Sequence, residues 1–218
     1  ASFGRMKPLD TSQCKGEFDS PIHWALSPDA VEIVPRVTGR YFQDVANKSS
    51  PEWMARRLIS IGQRPISALV DITNYIMIDL GRPLHAFDAD KISGDTLFIR
   101  RANAGEKILA LNEKEYECTP DMLVIGDRDG ADDIAGIMGG ERTGIRDDTQ
   151  NLFLEIAIFD PISVATTGRT LNINSDARYR FERGLDGESP DLLSGYIARF
   201  VQSICGGKIS REVSVGAG

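Results

Sequence analysis

The sequence predicts an α+β fold in which mixed, largely antiparallel sheets pack against helices. Two observations support this class. Some segments repeat apolar residues at helical spacing, whereas others alternate them with the period of a β-strand. The two kinds of segment do not follow the regular strand-helix-strand order of a parallel sheet. The chain has 218 residues, of which 41% are hydrophobic, so it can bury a sizeable core.

The composition limits the kinds of partner and compartment. A net charge of −7 does not favour a protein that grips a long nucleic-acid duplex by neutralising phosphates, although the end of a nucleic acid held by another module remains possible. The three cysteines are widely spaced, so we predict a reducing compartment and no structural zinc. No apolar run approaches the length of a membrane span, so we expect a cytoplasmic protein without membrane contact.

The N-terminal part divides into a connector, strands and a first helix. Residues 1–30 contain repeated Pro and Gly breaks, which predicts a connector. The β-branched and aromatic stretch Val31–Val45 predicts one or two strands. Ser49-Ser50-Pro51-Glu52 then predicts a helix start, either as a capping box or with Pro51 at the first helical position. The first residues, Ala-Ser-Phe-Gly, lead us to expect a piece of a longer polypeptide.

The next segment, Arg64 to Asp88, combines a buried helix with unexplained polar residues. We predict the helix over Ile66 to Leu80, ended by a Gly and a Pro. Thr73, Asn74 and His85 lie among many apolar side chains. Burying such groups without partners costs roughly 1–3 kcal/mol each. The segment is therefore expected either to build an internal network or to line a pocket.

The middle of the chain is predicted to be mainly β-structure. The strands expected from apolar alternation are Thr96–Arg101, Lys107–Leu111, Glu115–Cys118, Met122–Ile125 and Leu152–Phe159. Asn112 to Lys114 are predicted to form a hairpin loop, and GDRDGADD is predicted to be a polar turn. Asp160-Pro161 then begins a helix that extends to about Thr167, and Ser189-Pro190 begins a long amphipathic helix that ends at Gly206.

Glu155 and a glycine-rich segment are the next candidates. Glu155 stands between apolar neighbours in a strand, where a carboxylate is rarely buried without a partner. It is either part of a site or paired with an arginine of the 178–183 segment. The segment AGIMGGERTG has no nucleotide-binding spacing. Its glycines allow a close approach of the backbone to a ligand or form a bulge, and without further support we favour the bulge.

Other catalytic arrangements have little support. A Ser-His-Asp triad would combine Ser175 or Ser163 with His85, but no GxSxG motif is present. A metal hydrolase would use His85 with carboxylates such as Asp88, but no HExxH or HxH spacing supports it. We therefore predict no metal site.

Five motifs together resemble a known family. VDITNYIM, GRPLHAFDADKI, AGIMGG, LEIAIFDP and SDARYRFERGLD occur in this order. They are similar to the B3/B4 region of the β subunit of bacterial phenylalanyl-tRNA synthetases. The resemblance implies a B3/B4 editing domain over residues 31–207, preceded by the connector and followed by a tail, residues 208–218, that leads to domains outside this chain.

The resemblance implies a hydrolytic activity and several partners. The B3/B4 module of that family removes tyrosine that has been attached in error to phenylalanine tRNA. The module itself needs no cofactor, whereas the whole synthetase uses ATP and Mg. The implied partners are the synthetase α subunit and the rest of the β subunit in a heterotetramer, the 3′ end of the tRNA, and tyrosine. The alternative is an inactive module that only packs subunits and orients tRNA.

The resemblance also assigns residues one by one. Thr73 and Asn74 match the TN pair of the family's VDxTN motif, and His85 matches its HAFD histidine. We expect these three as catalytic residues that orient water and the terminal ribose, with His85 as a positioning group rather than a general base. The expected substrate-binding residues are Glu155, which matches the glutamate that reads the tyrosine hydroxyl, and Gly136, Ser175 and Ala177. Ser175 replaces a threonine that is usual in some members.

Overall fold

The computed structural model describes residues 8–216 and confirms the α+β class. Its helices are α1 (Glu52–Ser60), α2 (Ala68–Asp79), α3 (Pro161–Thr170), α4 (Asp176–Phe181) and α5 (Ser189–Cys205). Its strands are β1 (His23–Leu26), β2 (Arg36–Gln43), β3 (His85–Asp88), β4 (Thr96–Arg101), β5 (Glu106–Leu109), β6 (Glu115–Cys118), β7 (Leu123–Asp127), β8 (Gly130–Ile134), β9 (Leu152–Ile158), β10 (Lys208–Ile209) and β11 (Val213–Gly216). Short 3₁₀ turns precede β2 and follow β3.

The strands form two main sheets and a hairpin. A five-stranded antiparallel sheet has the order β10-β2-β9-β3, and β11 also pairs with β2. A four-stranded sheet has the order β1-β4-β7-β8, in which β1 is parallel to β4 and the other pairs are antiparallel. Strands β5 and β6 pair with each other. The prediction of mixed, largely antiparallel sheets is thus confirmed.

Strand β9 contributes to two hydrophobic clusters, one on each face of the five-stranded sheet. Leu152, Leu154 and Ile156 belong to the cluster that also contains buried residues of α1, α2 and α5. Phe153 and Ala157 belong to the cluster that also contains the four-stranded sheet. Since successive side chains of a strand point to opposite faces, Glu155 points into the space between the sheets.

The helix starts differ from the predictions in their details. Helix α1 has Pro51 at its N-cap and no side-chain cap, so the predicted serine caps are wrong. Ser50 instead donates a hydrogen bond to the Asp71 carboxylate, which also accepts from the Ile66 amide. These bonds hold the chain before α2 in an extended conformation, and α2 therefore begins at Ala68 rather than Ile66. The predicted helix start at Asp160-Pro161 is confirmed, because Asp160 is the N-cap of α3 and its carboxylate accepts from Ser163 N at 2.7 Å.

The largest correction concerns the segment GDRDGADD. The sequence predicts a polar turn, but only Arg128 and Asp129 connect β7 to β8. Asp132 and Asp133 lie in β8 and are buried. The strand forms because the buried β7 supplies its pairing partners, which outweighs the polar composition.

The segments on either side of the expected domain also join the sheets. Within residues 1–30, β1 pairs with β4, and Ile22 and Trp24 enter the core. Within residues 208–218, β10 and β11 pair with β2. The expected division into connector, domain and tail stays a prediction, and residues 1–7 and 217–218 lie outside the described residues. No helix of residues 8–216 is long and apolar enough to cross a membrane.

Candidate functional site

The candidate site is centred on a cross-strand pair between β3 and β9. His85 lies directly opposite Glu155 in the antiparallel register of these strands. Directly opposed residues project from the same face of a sheet, so the two side chains are neighbours. The sequence separates these two residues widely, and the strand register is what brings them together.

A small cavity of about 70 Å³ lies beside this pair. Four structural elements wall it: strands β3 and β9 with the two residues before β3, strand β7, the segment from Asp133 to Gly139, and α4. The residues that line it are Pro83, Leu84, His85, Ile125, Asp133, Ile134, Ala135, Gly136, Ile137, Met138, Gly139, Glu155, Ala177 and Phe181. Four residues predicted to form a site therefore lie around one cavity: His85, Gly136, Glu155 and Ala177.

Glu155 is buried without an ion pair. Its side chain is 5% exposed, and it takes part in no salt bridge among the described residues. The arginines of the 178–183 segment pair with Asp176 and Glu182, so the alternative that one of them neutralises Glu155 is wrong. Burial raises the pKa of Glu155 to about 8, although the charge of Arg82 opposes this shift.

Arg82 is a buried cation that the sequence analysis missed. Its guanidinium donates through Nη1 to Ser189 Oγ at 2.7 Å and through Nη2 to the carbonyl of Ala157. Burial lowers the pKa of Arg82 to about 10, whereas the charges of Glu155 and Asp186 oppose this shift. The only sequence signal was its position beside Pro83 at the entry to β3. Nothing local indicates that a residue between a helix and a strand is buried.

Asp133 is the second missed residue, and it lies against His85. The His85 Nε2 and Asp133 Oδ2 atoms are 3.1 Å apart, but they are not aligned as a hydrogen bond. Asp133 Oδ1 accepts from Gly140 N at 2.6 Å. Burial and the nearby carboxylates of Asp132 and Glu155 raise the pKa of Asp133, whereas burial lowers the pKa of His85 to about 4. A carboxyl directly before the apolar Ile134-Ala135 was the available signal.

The unsatisfied polar atoms of the described residues concentrate at this site. Among all the described residues, only four buried side-chain nitrogen or oxygen atoms lack a hydrogen-bond partner. Two of them, Glu155 Oε2 and His85 Nε2, belong to residues that line the cavity. The other two are Arg82 Nε, on the cation whose charge acts on Glu155, and Trp24 Nε1. Because native proteins satisfy most buried polar groups, such a cluster indicates a place where a ligand supplies the partners.

The glycine-rich segment brings backbone close to the cavity. Gly136 has a φ of 70°, and a Cβ there would lie 2.9 Å from the Phe159 ring. A Cβ on Gly139 would lie 2.3 Å from His85 Cε1, so this glycine makes room for the imidazole. Both glycines therefore allow close packing against protein side chains at the cavity wall, and a close approach of their backbone to a ligand stays a prediction.

Ser175 supports the cavity wall rather than lining it. Its Oγ accepts from Arg178 N at 3.1 Å as the N-cap of α4 and donates to the carbonyl of Ile137 at 2.7 Å. Ser175 thus ties α4 to the glycine-rich segment. Thr73 and Asn74 are half-buried on α2 and are not among the lining residues. Thr73 Oγ1 donates to the carbonyl of Val70 at 2.7 Å, so their catalytic role stays a prediction.

The alternative hydrolytic centres find no matching geometry. Asp88 lies three residues from His85 on β3, so it points to the opposite face, where it accepts from Thr149 Oγ1 at 2.8 Å. The hydroxyl of Ser175 is committed to Ile137. Within residues 8–216, no group of three or more His, Cys, Asp or Glu side chains is arranged to hold a metal ion.

Fold and site together define an α+β domain that presents a buried carboxyl and an imidazole to a small, mostly apolar cavity. A family model described as "B3/4 domain" matches residues 33–206. The chain belongs to the B3/4 domain family.

Similar proteins carry the name of one synthetase subunit. The chain is 48% identical over 217 residues to the phenylalanine–tRNA ligase β subunit of Ruegeria pomeroyi and 45% identical over 216 residues to that of Mesorhizobium japonicum. Each match covers 99% of this chain but only 27% of the relative. A solved N-terminal fragment of the Pyrococcus horikoshii phenylalanyl-tRNA synthetase β subunit aligns with a TM-score of 0.49 and 16% identity, over 66% of this chain and 45% of that one.

Proposed function

We propose that this chain is part of a phenylalanine–tRNA ligase β subunit and carries its editing site, which hydrolyses the ester between tyrosine and phenylalanine tRNA. The observation that carries the proposal is Glu155: a buried carboxyl with an unpartnered oxygen, opposite His85 at the wall of a small cavity. The names of the relatives support the assignment to a phenylalanine–tRNA ligase β subunit. The residues around the cavity support the proposed ester hydrolysis.

Glu155 supplies the selectivity. A pocket built to hydrogen-bond a substrate hydroxyl rejects the analogue without it, because the buried polar group is then left unpaired. Tyrosine offers a phenol O–H to Glu155 Oε2, and phenylalanine offers none. Since the pKa of Glu155 is raised to about 8, the carboxyl holds its proton through much of the neutral range, and both of its protonation states can accept this bond.

The reaction needs little acid–base equipment from the protein. A water molecule attacks the ester carbonyl, and the ribose oxygen leaves with a proton, which yields free tyrosine and tRNA with its terminal hydroxyl restored. Positioning supplies most of the acceleration for such a reactive ester. His85 orients water and ribose from the cavity wall, and the Gly136 amide, which donates to no acceptor among the described residues, is available to the developing oxyanion. Thr73 and Asn74 assist from α2.

The proposal extends to the assembly. The proposed partners are the α subunit and the rest of the β subunit in a heterotetramer, together with the tRNA 3′ end. ATP and Mg serve the synthetic reaction of the whole enzyme and not this module. The proposed location is the cytoplasm.

The decisive experiment compares deacylation of preformed Tyr-tRNA and Phe-tRNA by the intact synthetase. We expect the wild-type enzyme to hydrolyse Tyr-tRNA preferentially, and Glu155→Ala to lower this preference by about tenfold or more, as expected for a lost buried hydrogen bond. Glu115→Gln, which changes an exposed carboxylate on β6, is the matched control and is expected to behave as wild type.

Two results would contradict the proposal. If wild type hydrolyses neither ester, the chain is the inactive, tRNA-orienting module. If Glu155→Ala keeps the full preference for tyrosine, another residue reads the hydroxyl.

A further inference from the structure

Asp133 is a buried carboxyl that the proposed reaction does not use. Its side chain is 3% exposed and lines the same cavity as Glu155. One oxygen is fixed by the Gly140 amide at 2.6 Å, and the other lies 3.1 Å from His85 Nε2. The carboxyl therefore has a fixed direction, and its second oxygen lies next to the imidazole.

The imidazole itself is confined on its other sides. The Phe87 ring meets it edge to face, with ring centroids 4.4 Å apart. Gly139 packs against its Cε1 so closely that a methyl group there would overlap it. These neighbours are apolar or backbone. The polar side chains beside the ring are Glu155, opposite it on β9, and Asp133, which lies 3.1 Å from Nε2 and can therefore select the hydrogen-bonding state of the ring. The 3.1 Å separation of His85 Nε2 and Asp133 Oδ2 already lies within hydrogen-bonding distance.

The surrounding charges favour a protonated Asp133. The other carboxyls close to it are Asp132, the preceding residue of the same strand, and Glu155 on β9, and both repel a negative charge. The charge of Arg142 opposes this effect, but Arg142 pairs with Asp127 at 2.8 Å and with Asp132 at 3.6 Å. A buried acid among other acids retains its proton. The lowered pKa of His85, about 4, keeps the imidazole neutral beside it.

We propose that Asp133 is a positioning residue for the hydrolysis: its carboxylic O–H donates to His85 Nε2 and so fixes the hydrogen on Nδ1. His85 then acts as a hydrogen-bond donor to substrate or water and not as a base. This inference rests on the proposed editing function. It adds an acid–imidazole pair on β8 and β3 to the recognition residue on β9.

The test measures kcat and KM for Tyr-tRNA deacylation by the intact synthetase. Asp133→Ala is expected to lower kcat by at least about tenfold with little change in KM, a typical cost of removing the group that orients a functional histidine. Asp133→Asn is expected to recover most of the loss, because its amide N–H also donates to Nε2. Asp132→Asn, which changes the adjacent buried carboxyl on the other face of the strand, is the matched control and is expected to keep the wild-type kcat.

The pH profile separates positioning from packing. Wild-type kcat, after the uncatalysed rate is subtracted, is expected to fall at the alkaline pH where Asp133 ionises. This fall is the alkaline limb of the profile. The variant Asp133→Asn has no ionisable group at this position, so we expect it to lack this limb. The pKa of the Glu155 carboxyl is also raised, so Glu155→Gln measures how much its ionisation contributes to the fall of kcat at alkaline pH.

Three outcomes would overturn the inference: an unchanged kcat in Asp133→Ala, equal losses in Asp133→Asn and Asp133→Ala, or an unchanged alkaline limb in Asp133→Asn. A loss in Asp132→Asn as large as that in Asp133→Ala would also overturn it, because it would indicate packing alone. If wild type fails to hydrolyse Tyr-tRNA, the proposed function and this inference fail together. If wild type succeeds and Asp133→Ala matches it, only this inference fails.

Discussion

At the scale of single residues, the protonation of Glu155 couples the site to the stability of the fold. The carboxyl lies on a strand whose neighbours on both sides, Leu154 and Ile156, are buried. Ionising the carboxyl at this buried position costs free energy, because the charged group is not hydrated as it would be in water. A residue chosen for packing alone would not carry this cost, so the site is maintained at some expense of stability.

The pH dependence of stability follows from the raised pKa of Glu155. Its pKa is about 8 in the folded chain and near the ordinary 4.5 when unfolded, so the folded state holds the proton more firmly. The resulting stabilisation is fully present below pH 4.5 and is lost as pH rises to about 8. We therefore expect Glu155→Gln to become progressively more stable than wild type across this interval, by about 1.4 kcal/mol per unit at most.

Chemical denaturation of both proteins at several pH values measures this difference in the free energy of unfolding. The opposite contribution of His85, whose lowered pKa reduces stability as pH falls from 6.5 towards about 4, is present in both proteins and cancels. A difference that stays constant with pH would contradict the raised pKa of Glu155.

At the scale of elements, Ser175 connects α4 to the cavity wall. Ser175→Ala removes the N-cap bond to Arg178 N and the bond to the Ile137 carbonyl together. We expect a loss of about 1–2 kcal/mol in the free energy of unfolding, since a cap alone contributes about 1 kcal/mol. The control is Ser203→Ala on α5, where an exposed hydroxyl donates only to Phe200 O within its own helix. Equal losses in both variants would show that Ser175 has no special role.

The same scale shows what the sequence could predict. The strands β4 and β6 match their predicted bounds, because alternation and flanking turn residues mark them locally. Strand β8 was missed because its partner β7, and not its own acidic composition, makes it a strand. Asp133 was lost with it. Glu155 was found because a carboxyl within an apolar run is itself a local signal, whereas its position opposite His85 depends on register.

At the scale of the whole molecule, the cavity lies between two sheets that the ends of the chain help to hold. The family match ends at residues 33 and 206, but β1 lies before it and β10 and β11 lie after it. Trp24 of β1 contacts the Phe153 ring of β9, with ring centroids 5.3 Å apart. The strand that carries Glu155 is thus supported by a segment that the sequence predicts to be a connector.

A trimmed chain tests whether the matched segment is a complete folding unit. We expect residues 33–206 alone to be less stable than the 218-residue chain, because trimming removes Ile22 and Trp24 from the core and exposes the edges of β4 and β2. Loss of a buried Trp side chain alone costs about 3–5 kcal/mol. Denaturant unfolding measures the total, and Trp24→Ala in the full chain gives the part due to that side chain. Hydrogen exchange should then show faster opening of β2 and β4 in the trimmed protein. An equal unfolding midpoint for the two chains would show that the terminal strands do not stabilise the core formed by residues 33–206.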